Sequence, residues 1–123
     1  MKSSLDSATI TITGGTGSFG KTMVRHLLLD NVDEIRVFSR DENKQDQMRK
    51  EFDDTRLKFI LGDVRDLSSV EGAIKGSNFV FHAAALKQVP SCEFFPMQAV
   101  ATNISGSSNV LDASIQYDVE TVV

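Results

Sequence analysis

The residues best placed to do chemistry in this sequence are glycines. Thr13-Gly14-Gly15-Thr16-Gly17-Ser18-Phe19-Gly20 lies directly after a short β-branched run and directly before an amphipathic segment. Gly15, Gly17 and Gly20 fit a G-x-G-x-x-G spacing, and Gly14, Gly17 and Gly20 fit G-x-x-G-x-x-G. In either frame one glycine permits a tight turn, another lets the backbone approach a pyrophosphate, and the last lets helix and strand pack closely. Backbone N–H groups at the positive end of the helix dipole then hold the phosphates. A second group, Ser39-Arg40-Asp41-Glu42-Asn43-Lys44, falls about 20 residues further on, where a dinucleotide site meets the adenosine ribose. An acidic residue there holds the 2′-hydroxyl of NAD, whereas an arginine suits the 2′-phosphate of NADP. Ser39 and Arg40 offer a hydroxyl and a guanidinium, and Lys44 adds a second positive charge one helical turn on. The acid-versus-arginine rule therefore favours NADP. Asp41 keeps NAD open, and Ser39 or Asp41 also suits a plain helix N-cap.

Two further groups complete the candidate site. Asp63, in Gly62-Asp63-Val64-Arg65-Asp66, follows a strand and is placed to accept a hydrogen bond from an adenine amino group. Turn formation and helix capping are equally good uses of Asp63 and Asp66. Ala83-Ala84-Ala85 ends another strand and leaves room for a flat group such as the nicotinamide ribose, although close helix-sheet packing also wants small residues. Lys87 follows at the rim, where a negatively charged ligand would lie. His26 falls beside an apolar helix face with no acid or nucleophile near it in sequence, and reads as a solvent-edge histidine.

The elements that must position these residues alternate strictly. The β-branched run 8–13 is strand 1, and it suits burial on both faces. Phe19, Met23, Val24, Leu27 and Leu28 form one apolar face of a helix running from Ser18 to about Asp30. Asn31-Val32-Asp33 is a turn, 34–38 is strand 2, and 41–52 is an amphipathic helix with Gln45, Met48 and Phe52 on one stripe. Strand 3 covers 57–61. A short helix 3 follows, with capping-box spacing at Ser68 to Glu71 and an apolar stripe of Leu67, Val70 and Ile74. Strand 4 covers 78–82, residues 88–95 read as a loop, and Pro96 opens a long helix 4 to about Gln116. Residues 118–123 start as a turn and end as strand 5. Such alternation implies an α/β fold, a Rossmann-type doubly wound parallel sheet of five strands in order 3-2-1-4-5 with helices on both faces. The ligand crevice lies at the carboxyl ends of strands 1 and 4.

Composition bounds the function. The 123 residues amount to one domain's worth of chain, of which 41% are hydrophobic and 24% charged, as in ordinary globular proteins. A net charge of −4 gives no electrostatic reason to expect a nucleic acid or an anionic membrane as partner. Cys92 is the only cysteine, which excludes an internal disulfide and a thiolate zinc cage and fits a cytoplasmic setting. No stretch approaches the roughly 18 apolar residues of a membrane span.

Together the glycine run, Phe38-Ser39-Arg40-Asp41-Glu42, Gly62-Asp63-Val64-Arg65-Asp66 and His82-Ala83-Ala84-Ala85-Leu86-Lys87-Gln88-Val89-Pro90 resemble the extended short-chain dehydrogenase/reductase family. Within it they are most similar to the short-form bacterial UDP-N-acetylglucosamine 4,6-dehydratases of surface-polysaccharide synthesis, including those that invert C5. The Ser-Arg-Asp-Glu and Ala-Leu-Lys-Gln-Val-Pro runs are the restrictive part. The resemblance implies that Gly14, Thr16, Gly17, Ser18 and Phe19 line the pyrophosphate, Ser39, Arg40 and Lys44 the 2′-phosphate, and Asp63 with Val64 the adenine. It places Ala83, Ala84 and Lys87 at the nicotinamide-side ribose, with Asn103 near the site. It further implies oxidation of a UDP-sugar at C4 by NADP, loss of water from C6, and a homo-oligomer, often a hexamer.

In that family strand 5 leads into a Ser/Thr-Asp-Lys segment and then a Tyr or Met followed three residues later by Lys. The sequence reaches Val123 before any of these, and Tyr117 has no Lys three residues later. Gln98 and Ser107 are smaller departures, where relatives often carry Glu and Thr. Residues 1–123 are therefore expected to be the cofactor-binding, amino-terminal part of a longer enzyme, with no catalytic residue in this segment. A UDP-sugar 4-epimerase, or a non-catalytic NADP-binding module, are the alternatives.

Overall fold

The computed structural model describes residues 5–82, 109–117 and 119–122. Along the chain run β1 (Thr9–Thr13), α1 (Ser18–Leu27), β2 (Glu34–Ser39), α2 (Glu42–Phe52), β3 (Leu57–Leu61), α3 (Leu67–Ile74) and β4 (Phe79–His82). Residues 109–116 are helical and are called α4, and β5 is Thr121–Val122. All strand pairs are parallel, in the order β3-β2-β1-β4-β5. The expected order 3-2-1-4 is thus present. The expected fifth strand is only a two-residue pairing, Phe79 with Thr121 and Val80 with Val122. The remainder of the expected helix 4, and the loop 88–95, lie outside the described residues.

Strand alternation sorts side chains into two cores. Ile10 and Ile12 of β1 and Ile35 and Val37 of β2 pack with Val24 and Leu27 of α1 and Met48 of α2. On the opposite face Phe38 and Val80 pack with Val70, Ala73 and Ile74 of α3 and Val110 and Ala113 of α4. Helices therefore cover both faces, and the central strand is buried on each, as a β-branched run requires. The cost of burying hydroxyls in β1 is offset by hydrogen bonds. Thr11 Oγ1 donates to the Ala73 carbonyl at 2.9 Å and shares a hydrogen bond with Ser77 Oγ at 2.5 Å.

Three local expectations need correction. Helix α1 ends at Leu27, short of Asp30, because Leu29 N and Asp30 N turn back to the carbonyls of His26 and Leu27. The Arg56 guanidinium then takes the carbonyls of Leu28 and Asp30 at 2.9 Å each. Phe19, expected on the apolar face of that helix, is 48% exposed. It occupies the first turn of α1. Helix α3 does not start at the Ser68 capping box; it is capped two residues earlier by Asp66, the helix-capping use that the sequence also offers for that residue. The Asp66 side chain accepts from Ser68 N at 3.2 Å and from Ser69 Oγ at 2.9 Å and so takes the capping role. Asp41 caps α2 and accepts from Lys44 N at 3.0 Å, as one of the two sequence readings has it.

Candidate functional site at the carboxyl rim of the sheet

The parallel register aligns the strand ends. His82, Thr13, Phe38 and Ile60 form one row across β4, β1, β2 and β3. Backbone hydrogen bonds carry this alignment past the strands: Gly14 N donates to the Phe38 carbonyl at 2.7 Å, and Gly62 N to the Ser39 carbonyl at 2.9 Å. The glycine loop, the end of β2 and the end of β3 consequently share one rim.

Within the loop the glycines divide the work. Gly14 has φ +69°, in the left-handed region that a side chain resists. Gly20 lies so close to Gly15 that a Cβ would stand under 3.0 Å from its backbone O, C and Cα, which lets α1 abut the loop. At Gly17 a Cβ would meet, among the described residues, only the Gly14 carbonyl, at 3.7 Å, which leaves the backbone there open to close approach by a ligand. Gly17 is also the N-cap of α1, supplies no side-chain hydrogen bond, and is followed by no acidic residue in the first turn. The positive helix end therefore carries no carboxylate of its own, and Gly17, Ser18 and Phe19 are exposed around it. That cradle fits the pyrophosphate of a dinucleotide.

At the end of β2, Ser39 is buried and Arg40 is exposed, with Lys44 exposed in the first turn of α2. The Arg40 guanidinium stands 3.7 Å from Asp63 Oδ2, so the structure brings these two candidates together. Asp63 is held more closely by Arg65, whose Nη2 donates to Oδ2 at 2.7 Å while its backbone N donates to Oδ1 at 2.9 Å. The hydrogen bonds from Arg65, more than the charge of Arg40, lower the Asp63 carboxyl to about 2. Asp63 is thus an ionised acceptor that also forms the turn into α3. Next to it Val64 offers its carbonyl to Asn109 Nδ2 of α4 at 2.9 Å. Ala83, Ala84, Lys87 and Asn103 lie outside the described residues. His26 is exposed, as its sequence context indicates.

Sequence reasoning missed three contributors. Arg65 was legible as a partner two residues from Asp63. Gln45 was placed on a buried stripe without a task, yet its amide bridges the ends of β2 and β3 through Ser39 and Ile60. His82 Nδ1 is 2.6 Å from Thr13 Oγ1 across the β1–β4 register, and burial pushes its imidazole below the usual histidine range. No signal in the sequence pairs those two, since they are neighbours only in the sheet. Among the described residues no group of His, Cys, Asp and Glu could hold a metal ion, and no helix is long and apolar enough to cross a membrane.

Comparison with known proteins adds a family. A family model described as "polysaccharide biosynthesis protein" matches residues 10–123. A protein named UDP-glucose 4-epimerase, from Rickettsia rickettsii, is 51% identical over 119 residues, covering 94% of this chain and 35% of the relative. The X-ray structure of Pen from Bacillus thuringiensis is 38% identical with a TM-score of 0.92, covering 98% of this chain and 37% of that one. A double mutant of DesIV, a dTDP-glucose 4,6-dehydratase from Streptomyces venezuelae with NAD and DAU bound, is 26% identical. Its TM-score is 0.81, over 92% of this chain and 37% of that one. The chain spans about a third of the length of the curated relatives it matches.

Proposed function

The chain belongs to this polysaccharide biosynthesis family, and from that premise we propose that it is the cofactor-holding part of an NADP-dependent enzyme that modifies a UDP-sugar. The observation that carries the reading is the donor set on one rim. An uncapped helix end stands behind a glycine loop, and that loop is hydrogen-bonded to the end of β2, where Ser39 and Arg40 sit. Gly14, Thr16, Gly17, Ser18 and Phe19 surround the pyrophosphate, and Ser39, Arg40 and Lys44 receive the 2′-phosphate. Asp63, kept ionised by Arg65, accepts from the adenine amino group, and Val64 packs beside it. Ala83, Ala84, Lys87 and Asn103 serve the nicotinamide end. When bound, the nicotinamide cofactor would supply reversible hydride chemistry towards the sugar. The remaining work of the segment is to hold and orient it, with acid-base groups supplied by the rest of the intact enzyme.

Two reactions share that first oxidation at sugar C4. The Ser-Arg-Asp-Glu and Ala-Leu-Lys-Gln-Val-Pro runs support a UDP-N-acetylglucosamine 4,6-dehydratase, acting as a cytoplasmic homo-oligomer. The relatives named UDP-glucose 4-epimerase, at 51% identity, favour a 4-epimerase as the second reading. Incubating the intact protein with UDP-N-acetylglucosamine separates them. A 4-keto-6-deoxy product supports dehydration, the C4 epimer alone replaces it with epimerisation, and turnover of no UDP-sugar overturns both.

A further inference from the structure

Gln45 is a polar side chain, 4% exposed, on the inner stripe of an otherwise solvated helix. Its Nε2 lies 3.0 Å from the Ile60 carbonyl, 3.1 Å from Ser39 Oγ and 3.4 Å from the Ser39 carbonyl. The two carbonyls can only accept, so the amide must present its nitrogen to this cluster, and its two protons go to the two nearer oxygens. The Ser39 hydroxyl is therefore an acceptor towards Gln45. A second N–H, that of Asp41, approaches the same oxygen at 3.4 Å. A serine hydroxyl has two acceptor sites and one proton. With N–H groups on its acceptor side, what it has left to offer is the O–H, which meets no acceptor among the described residues.

A ribose 2′-hydroxyl can adapt to a neighbour of either polarity, because it both donates and accepts. A 2′-phosphate is a multiply charged acceptor and is served only by donors. We infer that Gln45 is a positioning residue for nucleotide specificity: by donating to Ser39 Oγ from beneath, it commits the Ser39 hydroxyl to donating outward, to a 2′-phosphate at the end of β2. This rests on the NADP reading above and adds to it a residue that never touches the nucleotide. Arg40 supplies charge to the same phosphate, while Gln45 sets the polarity of the hydroxyl.

The test is isothermal titration of NADP and NAD into the intact protein and its Gln45→Met and Gln45→Glu variants, with Ser39→Ala as partner in a double-mutant cycle. Methionine keeps the volume and removes the donor; glutamate becomes an acceptor that draws the Ser39 proton inward. Loss of one oriented, charge-assisted hydrogen bond predicts NADP affinity down about tenfold in Gln45→Met, and further in Gln45→Glu, with NAD within about twofold. In the Ser39→Ala background, Gln45→Met should no longer move the NADP/NAD ratio. Retained NAD binding shows that the variants are folded. Equal loss of both nucleotides, an unchanged ratio, or additive effects of Gln45→Met and Ser39→Ala would each overturn the role of Gln45 while leaving the NADP reading in place. A wild-type protein with no preference for NADP would overturn the reading and the inference together. Where Gln45→Met fails to fold, the ratio is read from Gln45→Glu and Ser39→Ala, and equality of that ratio with wild type in Gln45→Glu counts against the proposal.

Discussion

Gly20→Ala is the sharpest test of how the loop is built. A Cβ at Gly20 would stand under 3.0 Å from three backbone atoms of Gly15, none of which can swing aside as a side chain would. Either α1 or the loop must move. Overpacking of this kind costs about 1–3 kcal/mol, and rigid backbone puts the change near the upper end. Alanine recovers about 1 kcal/mol over glycine within a helix, so the net loss is about 2 kcal/mol. Gly72 in α3 provides the control, since a Cβ there meets nothing within 4 Å among the described residues. Gly72→Ala should stabilise by about 0.5–1 kcal/mol through helix propensity alone. The two substitutions, chemically identical, should therefore differ by roughly 3 kcal/mol in urea denaturation of the intact protein, at unchanged m-value. Dinucleotide affinity should fall with Gly20→Ala only. If Gly20→Ala is as stable as wild type, or gains as Gly72→Ala does, the close approach of α1 to the glycine loop is wrong.

Other predictions follow from the ion pairs and the buried imidazole. Arg56→Ala removes two donors from the carbonyls that follow α1 and should cost about 1–2 kcal/mol, read as a shift in urea midpoint. Asp54→Asn should cost less, because the carbonyl contacts survive it; the reverse order would show that the ion pair, not the capping, stabilises this corner. For acid stability, Asp63 binds protons less readily folded than unfolded, so its contribution is complete above its ordinary 3.8 and is lost as pH falls through about 2. The stability gap between wild type and Asp63→Asn should shrink across that window, and a constant gap would contradict the pairing with Arg65. His82, kept neutral by burial, should titrate below 6.5 by NMR and should favour the folded state less as pH drops below that value. A titration above 6.5 would refute the buried setting described for it.

What the sequence made legible follows from how local each feature is. Strand β3 was readable because Leu57 to Leu61 is a short apolar run closed by a glycine, and the two-sided burial of β1 because alternate Thr and Ile serve two cores. The Asp41 cap needed only its own side chain and the next turn. Misreadings arose where a distant partner decides the outcome. The end of α1 is set partly by Arg56, 26 and 28 residues away from the carbonyls it holds. Phe19 is exposed in the first turn of α1, which periodicity along the helix does not distinguish from the turns that follow. In the candidate site, residue types and spacing identified Arg40 and Asp63 but not their mutual approach, because that requires β2 and β3 to be neighbours in register. Gln45 was legible as part of the inner stripe of α2, but its task was not, because its partners Ser39 and Ile60 lie on β2 and β3 and meet it only in the folded sheet.

The central claim is that the end of β2 is built for a 2′-phosphate, and direct titration of the intact protein with NADP and NAD, in wild type and Arg40→Ala, tests it. Tighter binding of NADP by wild type is expected. Arg40→Ala should weaken NADP about tenfold or more while leaving NAD nearly unchanged, since a guanidinium-phosphate contact is lost from one nucleotide only. Wild type binding NAD as tightly as NADP, or equal loss of both in Arg40→Ala, would contradict it.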